Sequence, residues 1–292
     1  MTTIAEAIAQ GARTLGAAGI GDERRAASLL LCRALDVERI HLLTRPSEQI
    51  DEARFQAYLA MIERRASGEP AQYITGRQGF FGLDFEVTPA VLIPRPETEF
   101  LVEWIIERAL KDSRPAGESG PLIADAGTGS GCIAVALSAQ IPGARVIATD
   151  ISRPALAVAR SNAALHGVES RIEFLEGDLL EPLSGRGIEG RVDFIASNPP
   201  YVPEGDRRSL QREVRDWEPG LALFAGRDGL IFYRRLLRDA PAYLKQGGHL
   251  VCEIGYGQLT PVQEMIDPAR WRLEDVREDL QGIPRIVAIK KI

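Results

Sequence analysis

An α/β fold, a doubly wound and mostly parallel sheet with an N-terminal helical domain, is what the 292-residue sequence predicts. Three observations carry that prediction. From Pro121 onward, short apolar runs alternate with helix-length amphipathic segments, the pattern of a parallel sheet covered by helices. The first run, residues 122–126, leads through Gly127-Thr128-Gly129-Ser130-Gly131 into the apolar stretch Cys132-Ile133-Ala134-Val135-Ala136-Leu137, so a buried strand, a glycine loop and a helix follow one another. Residues 1–70, rich in Ala, Leu, Arg and Glu, instead repeat at helical spacing.

In that first region Ala26, Leu29, Leu30, Arg33 and Ala34, then Phe55, Tyr58, Leu59 and Ile62, predict helices over 3–17, 23–36 and 51–67. The turns Gly19-Ile20-Gly21-Asp22 and Arg45-Pro46-Ser47 offer Asp22 and Ser47 as capping oxygens. Residues 71–95 read as a hairpin linker, with Gln72-Tyr73-Ile74-Thr75-Gly76 and the run 80–87 as its two strands, split by glycines. The string Leu92-Ile93-Pro94-Arg95-Pro96-Glu97-Thr98-Glu99 then enters a helix that starts at Thr98 and Glu99 and runs to about Lys111. It is either a rigid connection with a surface arginine or a device that carries Arg95 and Glu97 to the rim of a cleft. Residues 96–292 form the α/β domain: strands at 146–149, 172–175, 192–196 and 249–254, with helices at 153–165, about 229–244 and from Gln258. The runs 271–277 and 283–290, joined by a turn at 279–282, have hairpin spacing and predict an antiparallel strand at the C-terminal edge. Ligands of open sheets sit beyond the carboxyl ends of the strands, and Gly127, Asp150, Asp178 and Asn198 all fall there.

The glycine loop is a nucleotide-type cradle. Its glycines allow close main-chain approach, and Ser130 and the first free N–H groups of the next helix face the same space. Asp150, nineteen residues beyond Gly131, ends the next strand, where its carboxylate can accept from both hydroxyls of a ribose. A dinucleotide fingerprint spaces its glycines as G-x-G-x-x-G. Here the third glycine comes one position early, which argues against a pyrophosphate. S-adenosylmethionine has no phosphate; it needs the loop for shape, Asp150 for its ribose and a carboxylate toward its amino-acid end, for which Asp125 is placed.

Asn198-Pro199-Pro200-Tyr201 follows the strand at 192–196. Consecutive prolines have no N–H to donate and hold φ near −65°, so the segment is stiff and its carbonyls point outward. Asn-Pro is also an ordinary turn dipeptide. An Asn oxygen beside the Pro199 carbonyl nonetheless makes two acceptors aimed at one point, with the Tyr201 ring able to lie over or wall off a flat group held there: a site for a planar NH2 group. Pro200 completes the rigid wall. Such a site beside an S-adenosylmethionine cradle implies methyl transfer to an amide or amine nitrogen.

Composition narrows the partners. A net charge of −6 and a pI near 5.3 give no general attraction to a phosphate backbone, so no stable nucleic-acid complex is expected. Arg207, Arg208, Arg212 and Arg215 are interleaved with Glu204, Asp206, Glu213 and Asp216, a mixed solvated segment rather than a basic track. Cys32, Cys132 and Cys252 are scattered, as are His41, His166 and His249, so neither a disulfide framework nor a metal site is expected. No run approaches the roughly 20 apolar residues of a membrane span, and the N-terminus lacks a signal pattern. A cytoplasmic protein with no membrane partner, acting as a monomer, is the expectation.

Nearly the whole chain resembles the bacterial peptide chain release factor N(5)-glutamine methyltransferases: the helical N-terminal domain, Gly68-Glu69-Pro70-Ala71-Gln72-Tyr73-Ile74, the Ile93-Pro94-Arg95-Pro96-Glu97-Thr98-Glu99 string, the loop from Asp125 to Gly131, and Ser197-Asn198-Pro199-Pro200-Tyr201. The last motif is shared with adenine-amine DNA methyltransferases and some RNA enzymes. The Pro96-Glu97-Thr98-Glu99 match favours release factors over ribosomal-protein glutamine as substrate. The resemblance implies a class I, Rossmann-like S-adenosylmethionine-dependent fold, an N-terminal substrate-recognition domain, and class I release factors as protein partners, modified at the glutamine of their Gly-Gly-Gln loop. Asp125, Gly127, Thr128, Gly129, Ser130, Gly131, Asp150, Asp178, Leu179 and Asn198 would hold the cofactor. Asn198, Pro199, Pro200, Tyr201, Arg95 and Glu97 would hold the substrate, with Asn198, Pro199 and Tyr201 catalytic. Where some relatives place a tryptophan near adenine, after Asp178, this chain has Leu179, so packing there would be aliphatic.

Overall fold

The computed structural model describes residues 2–111 and 120–292, which divide into two compact units. One unit runs through Arg77 and also includes Leu210–Trp217; the other comprises Gln78–Ser209 and Glu218–Ile292.

The first unit is helical. Helix α1 (Ile4–Ala17) starts in a capping box: Thr3 Oγ1 accepts from the Glu6 N–H at 3.3 Å, and the Glu6 carboxylate accepts from the Thr3 N–H at 2.8 Å. Helices α2 (Glu23–Leu35), α3 (Arg39–Thr44), α4 (Glu52–Ala66) and α5 (Ala71–Thr75) follow. Ile4, Leu15, Leu30, Leu31, Tyr58 and Ile62 are buried together. The Tyr58 hydroxyl donates to the Ala7 carbonyl at 3.1 Å, and α1 comes this close to α4 because position 11 is glycine: a Cβ there would stand 2.0 Å from Tyr58 Oη.

Three local expectations are corrected here. Asp22 precedes α2 in a left-handed conformation (φ 51°) and its side chain caps nothing. Ser47 is not the cap of α4; Asp51 is, accepting from the Arg54 N–H at 3.0 Å. The stretch expected as the first hairpin strand, Gln72 to Gly76, is helix α5, ended by Gly76 at φ 75°. The hairpin lies later, as β1 (Arg77–Phe80) and β2 (Leu83–Glu86), because the apolar alternation that anchors it belongs to Phe80 and Phe85, which meet edge to face at 5.9 Å.

The second unit continues with α6 (Pro96–Lys111), β3 (Leu122–Ala126), α7 (Cys132–Gln140), β4 (Arg145–Asp150), α8 (Arg153–Leu165), β5 (Ile172–Glu176) and β6 (Val192–Ser197). The short helix α9 (Arg212–Trp217) belongs to the first unit; α10 (Ile231–Tyr243), β7 (Leu244–Glu253), α11 (Leu259–Glu264), β8 (Trp271–Glu278) and β9 (Pro284–Lys291) complete the second. The seven-stranded sheet has the order β5-β4-β3-β6-β7-β9-β8. Strands β3 to β7 are parallel, and β9 pairs antiparallel with β7 and β8. The antiparallel strand is therefore not at the edge as expected: β9 inserts between β7 and β8. Its central residues Ile286, Val287, Ala288 and Ile289 are buried, an apolar run suited to an interior strand, whereas β8 is largely half-exposed.

Side chains of the strands alternate between two cores. Ile123, Phe194 and Ala196 join one, Ala124, Ala126 and Ile195 the other. The chain runs outward from β3 through β4 to β5 and then returns to β6 on the other side of β3. That reversal opens a crevice at the carboxyl ends of β3, β4 and β6. No helix among the described residues is long and apolar enough to cross a membrane.

Candidate active site

The crevice is a cavity of about 260 Å3, just below the usual range of about 300–1,000 Å3 for ligand sites. Its floor is the glycine loop. Gly127 and Thr128 both donate to the Thr149 carbonyl at 2.9 Å, and the Gly131 N–H donates to the Thr128 carbonyl at 2.8 Å, which closes the loop onto α7. Gly127, Thr128, Gly129 and Ser130 line the cavity, and a Cβ on Gly127 or Gly129 would stand in open space. Asp150 lines it from the end of β4; its two carboxylate oxygens accept from the N–H groups of Gly129, at 2.9 Å, and Ser152, at 2.8 Å. Those bonds aim the carboxylate while each oxygen keeps a further lone pair for a ligand hydroxyl. Burial raises the Asp150 pKa and the two N–H donors oppose the shift.

Leu179 lines the cavity with φ 48°, held by the Thr149 hydroxyl donating to its carbonyl at 2.6 Å. With Ile133 and Ile151 it makes an aliphatic wall. Asp178 is also at the wall, 2.9 Å from Arg235. Arg95 lines the cavity and pairs with the buried Glu218.

Asn198, Pro199 and Pro200 form the remaining wall. The Asn198 Nδ2 donates to Thr98 Oγ1 at 2.9 Å, and the Thr98 hydroxyl donates to Glu253 Oε2 at 2.5 Å. A carboxylate only accepts, so Thr98 must spend its one proton on Glu253 and can only accept from Asn198. The carboxamide is thereby turned with Nδ2 toward Thr98, which leaves Oδ1 as its acceptor.

Four expected site residues are not at the cavity. Asp125 is fully buried beneath the loop, where it accepts from Thr128 Oγ1 at 2.6 Å, and burial pushes its carboxyl up to about 7; it braces the loop from behind. Gly131 faces α8, where a Cβ would stand 3.0 Å from the Ala159 Cβ; it serves helix packing. Tyr201 turns its hydroxyl to Glu253 Oε1 at 3.4 Å and packs on the core beside β7. Glu97 faces a separate groove with Phe81, Phe100 and Leu280.

Three residues that the sequence reading passed over organise the site. Thr98 and Glu253 hold Asn198, and Asn162 of α8 ties hairpin and loop together: it accepts from the Glu86 N–H at 2.7 Å and donates to the carbonyls of Glu86, at 3.0 Å, and Ser130, at 2.8 Å. Asn162 had a signal, a polar residue on an otherwise apolar helix face with Ala155, Leu156, Ala159 and Ala163. Glu253 had one too, an acid within the apolar run 249–254.

The sheet order, the glycine cradle and the Asn-Pro-Pro wall define a Rossmann-like methyltransferase. Residues 100–214 match the family described as methyltransferase small domain, and residues 6–76 match the PrmC N-terminal domain. The chain is 42% identical over 290 residues to the release factor glutamine methyltransferase of Koribacter versatilis, covering 99% of both. It is 43% identical over 284 residues to that of Moorella thermoacetica, covering 97% of this chain and 96% of the other. It belongs to the release factor glutamine methyltransferase family. Among solved structures, the human methyltransferase 10 domain containing protein shares the fold, with a TM-score of 0.53 at 20% identity over 71% of this chain and 88% of that one.

Proposed function

We propose that this protein transfers the methyl group of S-adenosylmethionine to the side-chain amide nitrogen of the glutamine in the Gly-Gly-Gln loop of class I release factors. The observation that carries the reading is the orientation of Asn198: with Nδ2 committed to Thr98, Oδ1 and the Pro199 carbonyl are two acceptors at the wall of the cavity. A substrate carboxamide has two N–H groups to offer such a pair.

The cavity's residues fit the cofactor. The cradle leaves room where a side chain would stand, Asp150 presents a doubly braced carboxylate to the ribose, and Leu179, Ile133 and Ile151 give the adenine an aliphatic surface. When bound, the cofactor supplies a methyl group already activated on a sulfonium. The protein's task is the nucleophile. An amide lone pair is delocalised into its carbonyl, so Asn198 Oδ1 and the Pro199 carbonyl each take one N–H, turn the lone pair toward the methyl and stabilise the positive charge that builds on nitrogen. Tyr201, held against Glu253, keeps the following turn rigid. The helical unit would recognise the release factor, and Arg95 would meet substrate at the rim.

The test is incubation with methyl-labelled S-adenosylmethionine and three acceptors: a release factor, the same factor with its loop glutamine changed to asparagine, and duplex DNA. Label on the glutamine of the first alone is expected; label in DNA would move the substrate to adenine, and none anywhere would overturn the reading. Asn198→Ala should lower single-turnover methylation by about 2–4 kcal/mol of barrier, the size of losing one preorganised polar group, with cofactor affinity nearly unchanged.

A further inference from the structure

Behind Asn198 runs a polar chain that meets the cavity at Thr98 and otherwise lies behind its wall. Glu253, at the end of β7, is 2% exposed, and so is Thr98, in the first turn of α6. Glu253 receives two hydroxyls, Thr98 on Oε2 at 2.5 Å and Tyr201 on Oε1 at 3.4 Å. Its own carbonyl lies 3.0 Å from the Tyr233 hydroxyl, and Gln258 Nε2 holds the Tyr201 carbonyl at 3.0 Å. A buried carboxylate is costly, and an apolar residue could fill the same volume. The arrangement makes sense if the charge is used.

We propose that Glu253 and Thr98 are positioning residues for the methyl-accepting amide: the ionised Glu253 fixes the direction of the Thr98 proton, and Thr98 thereby fixes which end of the Asn198 carboxamide faces the substrate. The inference rests on the proposed function of Asn198 and adds what sets its orientation. An Asn side chain presents an oxygen and an NH2 of nearly the same shape, and only the oxygen can accept from a substrate amide. With a carboxylate at 253, Thr98 donates away from Asn198 and the oxygen is free. With a carboxylic acid there, the acid proton can be donated to Thr98, the Thr98 proton then turns to Asn198, and the carboxamide is satisfied only by flipping its oxygen inward. The flipped form offers the substrate amide two donors facing its own donors.

The relay therefore makes methyl transfer sensitive to the charge of Glu253. The groups around it are Thr98 and Glu97 on α6, Tyr201 after β6, Arg285 on β9, and Cys132 on α7 and Tyr233 on α10, which burial keeps neutral at this pH; burial and Glu97 push its carboxyl up, Thr98, Arg285 and Tyr201 act against them, and the result is about 7. The rate of the chemical step should fall as pH drops through that range.

The experiment uses the full-length protein with a release factor acceptor and S-adenosylmethionine, measuring single-turnover rate, acceptor KM and cofactor affinity by calorimetry. Thr98→Val keeps the shape of the side chain but neither donates nor accepts; it should lower the single-turnover rate about ten- to a hundredfold, the scale of a misaligned reacting group, with cofactor affinity held within about twofold of the wild type. Thr98→Ser should restore the rate. Glu253→Gln keeps an acceptor toward Thr98 that does not titrate and is read by its pH profile: the fall near pH 7, present in the wild type, should be absent. A normal rate in Thr98→Val, a parallel loss of cofactor affinity in it, or an unaltered fall in Glu253→Gln would each overturn the proposal. No methylation by the wild type itself would instead remove the reading of the substrate on which it rests.

Discussion

Gly129 and Gly131 sit two residues apart in one loop, yet replacing each with alanine should fail in different ways. Gly131 has φ 81°, and a Cβ there would meet the Ala159 Cβ at 3.0 Å and the Ala159 Cα at 3.1 Å. A left-handed non-glycine residue costs about 1–2 kcal/mol. Crowding against a backbone atom of a packed helix adds about 1–3 kcal/mol, since Ala159 is fully buried and has no rotamer by which to move aside. Gly131→Ala should therefore lose about 2–5 kcal/mol of stability. Gly129 has φ 54° and nothing within 4 Å of the added methyl, so Gly129→Ala should lose only the strain, about 1–2 kcal/mol. Its methyl instead stands at the cavity wall, where S-adenosylmethionine would approach the main chain, and should lower cofactor affinity by about tenfold or more, the equivalent of 1.4 kcal/mol. Urea unfolding gives the stabilities and calorimetry gives the affinities. A further variant separates the parts: Ala159→Gly in the Gly131→Ala background removes the Ala159 Cβ contact but leaves its Cα at 3.1 Å, so it should recover only part of the crowding energy, less about 1 kcal/mol of helix propensity. Equal stability losses in the two single variants would refute the assignment of Gly131 to helix packing.

Other consequences can be measured directly. Gly11→Ala would put its Cβ 2.0 Å from Tyr58 Oη; overpacking and loss of the Tyr58 to Ala7 bond should together cost about 2–5 kcal/mol, seen as a lower urea midpoint, and a loss under about 1 kcal/mol would show that α1 and α4 are not held as described. Asp150→Ala should weaken S-adenosylmethionine in calorimetry by about 1–3 kcal/mol, the size of an unmade bond to a buried polar group, and unchanged affinity would leave Asp150 as a strand-end turn residue. Asp125 is held protonated by burial up to about 7 in the folded state, against the ordinary 3.8 of an aspartate. The folded form then binds the proton more tightly than the unfolded one, so the Asp125 contribution to stability is fully present below pH 3.8 and is lost as pH rises toward about 7. Asp125→Asn should remove that part of the slope, and urea unfolding at pH 4, 5.5 and 7 that gave parallel curves for wild type and variant would show that the carboxyl is not neutral in the fold.

The sequence made the α/β core legible because its strands are buried on both faces and read as short apolar runs, as in 146–148 and 194–196, while α8 carries an apolar stripe interrupted only by Asn162. Two structures can satisfy the same local pattern. Gln72 to Gly76 has strand-like residues, but five residues ending in a glycine at positive φ equally make one helical turn, and burial of Tyr73, Ile74 and Thr75 settles it. The order of the last strands was hidden for a different reason. Hairpin spacing says that β8 and β9 pair; it does not say which of them meets β7.

The site divides along the same line. Glycines, Asp150 and the Asn-Pro-Pro segment could be read because each is chemically unusual where it stands. What cannot be read is depth: Asp125 and Asp150 lie on adjacent strands and on the same face of the sheet, but Asp125 stands level with Ala148, where the loop covers it, while Asp150 is two residues further on at the end of β4 and reaches the cavity. Thr98 stands in the Pro-Arg-Pro-Glu-Thr-Glu string beside the charged Arg95 and Glu97, and an isolated hydroxyl, without charge or reactivity, does not announce a role. Its meaning depends on Glu253, which lies 155 residues away in the chain. A buried acid placed so far from the residue it orients can be found only once the sheet has brought α6, β6 and β7 together, and it is that juxtaposition, more than the Asn-Pro-Pro motif itself, that tells the Asn198 amide which way to face.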